Sequence, residues 1–236
     1  MTYMLLDYQK VTICQGDKVV LSDVNLRVGE GQFIYIIGKV GSGKSSLLKS
    51  LYAELDIKEA EKAEVLGRNM LKLRRKEVPM LRREMGIIFQ DFQLLADKTV
   101  YGNLDFVLKA TGWKSKQERR ERIESVLERV GMPEYKQKFP HELSGGEQQR
   151  IAIARAILNE PKIIIADEPT GNLDPETADH IIQLLKTISQ TGTPVLMSTH
   201  NMPLLDKYPG IVYRCKDGRM SEATGEFNDL ETIEKE

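Results

Sequence analysis

Cysteine is nearly absent: two in 236 residues, Cys14 and Cys215, with no CxxC pair. That excludes a disulfide scaffold and a cysteine-built zinc site, and it fits a reducing compartment. Long apolar runs are missing as well. The longest clean ones, such as Phe33 to Ile37 and Ile163 to Ala166, are far too short to span a bilayer. The first residues lack the basic start and apolar stretch of a secretion signal. Neither sign of charge dominates, with 34 Lys and Arg against 35 Asp and Glu. No global field therefore draws the chain to nucleic acid or to an anionic membrane. Repeats and low-complexity tracts are lacking too. What remains, 41% apolar and 29% charged, is the composition of one folded α/β-type chain in the cell interior.

Gly16-Asp17 sits between two apolar stretches, and Val24, Leu26 and Val28 alternate, so the first thirty residues read as short strands with turns. The continuous run Phe33–Ile37, between Gly31 and Gly38, suits a strand buried on both faces, as in a parallel sheet. Ile163–Ala166 and Val195–Met197 read the same way. A helix with the stripe Leu47, Leu48, Leu51 and Leu55 follows the first run. Between the other two lies a helix capped by Asp174, opened by Pro175 and striped by Ala178, Ile181, Ile182, Leu185 and Ile188. Strand, helix, strand is the alternation of a parallel α/β sheet. Ile211–Cys215 before Asp217-Gly218 predicts a strand entering a tight turn.

The middle third differs. From Lys114 to Val130, Ile123, Val126, Leu127 and Val130 share a face, while Glu118 and Arg122 stand as an i, i+4 ion pair. Residues 91–158 read as a helical insertion in the α/β core. Arg68 to Arg83 holds seven basic residues and one acid, Glu77; Ser221 to Glu236 holds six acids and one lysine. No aromatic residue is interleaved with the basic block, so it reads as solvated or protein-contacting surface.

Chemistry concentrates at a few places. Gly38-Lys39-Val40-Gly41-Ser42-Gly43-Lys44-Ser45 fits G-x-x-x-x-G-K-[ST], with a buried-type strand before it and a helix after it. The glycines let successive N–H groups turn inward on phosphate oxygens. Lys44 adds a point charge, Ser45 offers a hydroxyl to Mg²⁺, and the helix start adds its positive end. Asp167 and Glu168 end the run Ile163–Ala166 at the same sheet edge, where one acid suits a metal and the other a water. His200 follows the third run at that edge, and Gln90 ends the short run Ile87 to Phe89. His141 and His180 read as ordinary surface residues. Leu143-Ser144-Gly145-Gly146-Glu147 opens another helix, and Ser144 with Glu147 has capping-box spacing. A cap does not account for two glycines in a first turn, each costing about 1 kcal/mol against alanine. Bare backbone there suits a phosphate approaching a helix start.

In this order the motifs resemble the nucleotide-binding subunit of an ATP-binding cassette (ABC) ATPase, from about residue 3 to 220, with LSGGEQQR at 143–150 the most specific. The resemblance implies a P-loop NTPase core with a mainly parallel sheet, an N-terminal antiparallel β subdomain and an inserted helical subdomain. Residues 1–236 would then form a single ATP-binding domain: a core of about 1–90 and 159–220, the insertion at about 91–158, and an acidic tail from about 221 to 236. It further implies ATP and Mg²⁺ as cofactors. ATP would rest on residues 38–45, Ser46 and Gln90, and the metal on Ser45, Gln90 and Asp167. Glu168 and His200 become the catalytic pair. Leu143, Ser144, Gly145, Gly146 and Glu147 become a signature that closes over the partner's ATP in a homodimer, and Asn172, Leu173 and Asp174 become the dimer's D-loop.

Within the family, EVPMLRREMGIIFQDFQLLADKTVYGNL at 77–104 is similar to the cell-division branch. Its ATPases pair with an FtsX-like integral membrane subunit and are implicated in control of cell-wall hydrolysis. That implies a peripheral protein at the cytoplasmic face of the plasma membrane with no nucleic-acid partner. Alternatives are the engine of a lipoprotein-release or macrolide-export transporter, and a slow nucleotide-sensing switch that signals by dimerising. Three departures from the family stand out. No aromatic side chain occupies Val11–Gln15, where an adenine-stacking residue is usual, and Tyr8 is out of register. Val40 replaces a common serine. Residues 56–64 lack the usual Pro/Gly turn, so a loop with its own conformation is expected there.

Overall fold

The computed structural model describes residues 4–225. In chain order the strands are β1 Leu6–Gln15, β2 Lys18–Val28, β3 Phe33–Ile37, β4 Ile57–Glu59, β5 Lys62–Val65 and β6 Arg68–Asn69. They continue as β7 Met85–Ile88, β8 Ile163–Ala166, β9 Val195–Thr199, β10 Ile211–Lys216 and β11 Arg219–Glu222. The α-helices are α1 Lys44–Leu51, α2 Val78–Arg83, α3 Val100–Ala110, α4 Lys116–Arg129, α5 Gly145–Ile157, α6 Pro175–Gln190 and α7 Pro203–Lys207.

β1 and β2 make one antiparallel hairpin closed at Gly16-Asp17. Two long strands thus replace the several short ones expected. Register shifts between Tyr8 and Cys14 let β1 bend where a regular strand would end. β1 also pairs with β4 and β5, in a sheet of order β2-β1-β5-β6. Residues 56–64 are therefore two short strands and not a free-standing loop. Their backbones complete ladders while their charged side chains remain near solvent: Lys62 bridges Asp7 at 2.8 Å and Glu64 at 3.1 Å.

The second sheet runs β11-β10-β3-β9-β8-β7, parallel throughout except for β11. Alternation along β3 shows why its run is unbroken: Ile34 and Ile36 join one core, and Phe33, Tyr35 and Ile37 join the other. The first core holds Leu47, Leu48 and Leu51 of α1 and the inner side of the antiparallel sheet. The second holds the apolar faces of α3, α4, α5 and α6. Leu55 leaves the predicted stripe, because α1 ends at Leu51 and Leu55 is only half-buried.

Arg122 does not pair with Glu118. Its guanidinium donates to the carbonyls of Ile157 and Leu158 at 2.7 Å each and bridges Glu160, so it caps the end of α5 instead of decorating α4. The basic block is also more engaged than a solvated surface. Arg68 pairs with Glu84, Arg74 with Glu77, and Arg82 donates to the carbonyls of Tyr52 and Ala53. The acidic tail begins inside β11, and from residue 226 it lies outside the described residues. Among the described residues no helix is long and apolar enough to cross a membrane.

Candidate functional site

Three parallel strands end beside one another. β3 delivers the loop 38–43, β8 delivers Asp167 and Glu168, and β9, between them, delivers His200. Carboxyl ends of parallel strands are where α/β sheets bind ligands.

The loop depends on its glycines. Gly38 has φ 149°, and a Cβ there would lie 2.4 Å from the Cys215 carbonyl and 2.5 Å from Ser42 Oγ. Gly43 has φ 101° and sits against Leu21 of the hairpin. Gly43 is also the N-cap of α1, and no side chain caps that helix. Its first-turn N–H groups are thus left for something else. Ser42 Oγ is buried without a partner. Val40 points outward, 92% exposed, so a serine at that position would bind nothing within the chain.

Lys44, only 5% exposed, curls back over the loop. Its Nζ donates to the carbonyls of Gly38 at 2.9 Å and Lys39 at 3.3 Å, and lies 3.4 Å from Glu168 Oε1. The other Glu168 oxygen is 3.1 Å from His200 Nδ1. Ser45 Oγ donates to Asp167 Oδ1 at 3.1 Å. Hydroxyl and carboxylate thus converge next to the loop, an oxygen donor set that suits a hard cation such as Mg²⁺. Among the described residues no three His, Cys, Asp or Glu side chains converge as a self-sufficient metal cage. A cation of this kind draws its remaining ligands from water and substrate phosphate, so the residues fit Mg²⁺ carried with a nucleotide.

Gln90 reaches the same place from β7. A Cβ on Gly171 would lie 3.5 Å from Glu168 Oε2 and 3.7 Å from Gln90 Nε2, so the two side chains flank one glycine. Asn172 Nδ2 donates to the Gln90 carbonyl at 3.2 Å. Arg155 of α5 donates to the carbonyls of Phe92 and Gln93, two successive residues with positive φ.

Residues 143–147 make no hydrogen bond to residues 38–46 among those described. Ser144 Oγ accepts from the Glu147 N–H at 3.3 Å, and Glu147 Oε2 accepts from the Ser144 N–H at 2.7 Å, a complete capping box. That backbone bond and a second from Tyr135 hold the Glu147 carboxyl below its ordinary value. The glycine pair splits. Gly146 packs on α6, where a Cβ would meet Thr177 Cγ2 at 2.4 Å, so an intrachain contact already demands that glycine. Gly145 has only ordinary contacts, 3.4 Å to Leu173 and 3.9 Å to Phe92. The 172–174 segment and the α5 start are therefore neighbours in one chain, and Asp174 caps α6 by accepting from the Thr177 N–H at 3.0 Å.

Tyr8, out of register by sequence, is also wholly buried, with its hydroxyl on the Ser50 carbonyl; it offers no face to a base. The sequence reading passed over one residue of the site. Ser198 of β9 donates to Asp167 Oδ1 at 2.6 Å and accepts from the Glu168 N–H at 2.9 Å. A serine at the end of an apolar strand carries no motif, so only the pairing of β9 with β8 brings it to light.

A family model described as ABC transporter matches residues 21–171. The chain is 44% identical over 209 residues to the cell division ATP-binding protein FtsE of Streptococcus pneumoniae, covering 88% of this chain and 90% of the relative. It is 44% identical over 200 residues to FtsE of Mycobacterium tuberculosis, covering 85% and 86%. Among solved structures it is similar to the dimeric post-hydrolysis state of an ATP-binding cassette bound to ADP and Pi. That match has a TM-score of 0.80 at 33% identity and covers 93% of this chain and 99% of the other.

Proposed function

This chain belongs to the ABC transporter family and is an ATP hydrolase of that type, and on that premise we propose that it works as a homodimer beneath an FtsX-like membrane subunit in cell division. One observation carries the dimer. The phosphate loop, Asp167, Glu168 and His200 converge, while the α5 start is complete in itself and makes no hydrogen bond to them. That separation supports a site whose two halves are joined between copies. Names of the relatives support the cell-division role.

In this reading the core is formed by residues 1–90 and 159–220, and the helical insertion by 91–158. ATP lies on the N–H groups of 39–45, with Lys44 released from Gly38 and Lys39 onto the β- and γ-phosphates. Ser45, Asp167 and Gln90 would hold Mg²⁺, which would supply positive charge against the substrate's phosphates. Glu168 orients and polarises the attacking water, and His200 fixes the Glu168 carboxylate. Because the Ser144 N–H is held by Glu147, the Ser144 hydroxyl proton and the N–H groups of Gly145 and Gly146, all of the partner subunit, would close the γ-phosphate cradle, supported by Asn172 to Asp174.

The test mixes two inactive variants. Gly145→Asp leaves its own phosphate loop intact and should bind ATP yet not hydrolyse it; Lys44→Ala loses the loop but keeps its α5 start. A mixed dimer regains one working site of two. Absence of recovery where mixed dimers demonstrably form rejects the shared site. The membrane role is checked by copurification in detergent with the FtsX-like subunit, and failure to copurify sends the chain to another ABC complex.

A further inference from the structure

We propose that Ser198 is a positioning residue for the hydrolytic step, holding Asp167 and Glu168 from the neighbouring strand with one hydroxyl; this rests on the reading of Asp167 as metal acid and Glu168 as water-polarising base. Ser198 is fully buried, and β9 lies directly beside β8 in the sheet. A serine hydroxyl has one proton to give, and here it goes to Asp167 Oδ1 at 2.6 Å. The lone pairs meet the Glu168 N–H at 2.9 Å.

Both bonds matter for the chemistry. Glu168 has φ 44°, the left-handed region that side chains other than glycine rarely adopt. From that backbone its carboxylate reaches Lys44 at 3.4 Å and His200 at 3.1 Å. The Ser198 oxygen is what secures the N–H on the strained side of the turn. Asp167 Oδ1 receives a second hydroxyl, Ser45, at 3.1 Å, whereas Oδ2 has no hydrogen bond among the described residues. When Ser45 turns to a cation, the Ser198 hydroxyl still holds Asp167 Oδ1. Thr199, the next hydroxyl along, lies on the opposite face of β9, where it accepts from the Asn201 N–H at 3.0 Å.

The experiment compares wild type, Ser198→Ala, Ser198→Thr and Asp167→Asn on the full chain. Hydrogen exchange at the Glu168 amide is read without nucleotide. Mn²⁺ binding in the presence of ADP is read by electron paramagnetic resonance, and kcat and KM for ATP by steady-state kinetics. Ser198→Ala should speed exchange at Glu168 by about tenfold, weaken Mn²⁺ by about fivefold and lower kcat by about tenfold, with KM for ATP within about twofold. Ser198→Thr, which keeps the hydroxyl, should restore most of each loss. Should the alanine variant prove insoluble, Ser198→Cys keeps the volume with a weak donor, and the same readouts apply. Wild-type exchange and Mn²⁺ binding in Ser198→Ala would overturn the proposal, provided Asp167→Asn loses Mn²⁺. If Asp167→Asn binds Mn²⁺ as wild type does, the metal reading of Asp167 fails instead.

Discussion

Two helices begin beside places where phosphate is expected, and they begin in opposite ways. α1 starts from Gly43 at φ 101° with no side-chain cap and no acid in its first turn. α5 starts from Ser144 in an extended conformation, with a full capping box and Glu147 in its first turn. The first is unfinished without an anion: open N–H groups, a buried Ser42 hydroxyl with no partner, and a lysine turned back onto carbonyls. The second is finished within the chain. On the proposed function, binding would reorganise the loop before α1, whereas the α5 start is already built.

The largest expected effect breaks the unfinished end. Lys44→Ala removes the cation that bonds Gly38 and Lys39 and faces Glu168. ATP affinity should fall by about a hundredfold or more, since among the described residues the other buried cation, Arg119, is bound to Asp105 of α3. Isothermal titration gives the number. Affinity within about twofold of wild type would mean that the open N–H groups alone suffice.

A smaller effect separates the two glycines of the finished end. Gly146→Ala forces a methyl into Thr177 and should cost about 1–3 kcal/mol by chemical denaturation. Gly145→Ala meets only ordinary contacts and should leave stability within about 1 kcal/mol, or raise it slightly through helix propensity. Any loss of hydrolysis in the Gly145 variant then reports a contact with another molecule. Equal destabilisation by both would erase the distinction.

Most of the unfinished end was legible in the sequence because its geometry is written in residue types that little else requires. Glycines at 38, 41 and 43, Lys44, and acids at the end of an apolar strand follow from backbone freedom and charge. The capping box and Asp174 cap were legible for the same reason, since their bonds span three residues. Errors arose where tertiary contacts compete with local ones. Arg122 forsakes Glu118 because the last carbonyls of α5 are closer to its fork than a solvated acid. Residues 56–64 form strands because β1 offers a ladder, which no local pattern announces. Gly146 also has a packing reason to be glycine that no local pattern announces, since Thr177 lies 31 positions away in the chain. Ser198 was invisible for that reason too.

The smallest effect titrates the finished end, and the unfinished one supplies its control, having no acid in its first turn. Glu147 accepts from the Ser144 N–H and is bonded by Tyr135, so its carboxyl is held below the ordinary value in the folded chain. A depressed value means that the folded state favours the ionised form. The resulting stability is fully present above the unfolded value, about 4.3, and is lost as pH falls through the lower folded one. Glu147→Gln keeps the shape and the acceptor of the capping box while removing the charge. At pH 7 the variant should be less stable by a few tenths of a kcal/mol to about 1 kcal/mol, the usual worth of an acid at a helix start. Down to about pH 4.3 the gap between the two proteins should persist, and it should close only as pH falls further through the lower folded value, where wild type protonates and comes to resemble the glutamine. A gap that persists unchanged in acid would assign the stabilisation to the hydrogen bond alone. A gap absent at pH 7 would mean that the charge adds nothing, and that α5, like α1, keeps its electrostatic opening for a phosphate.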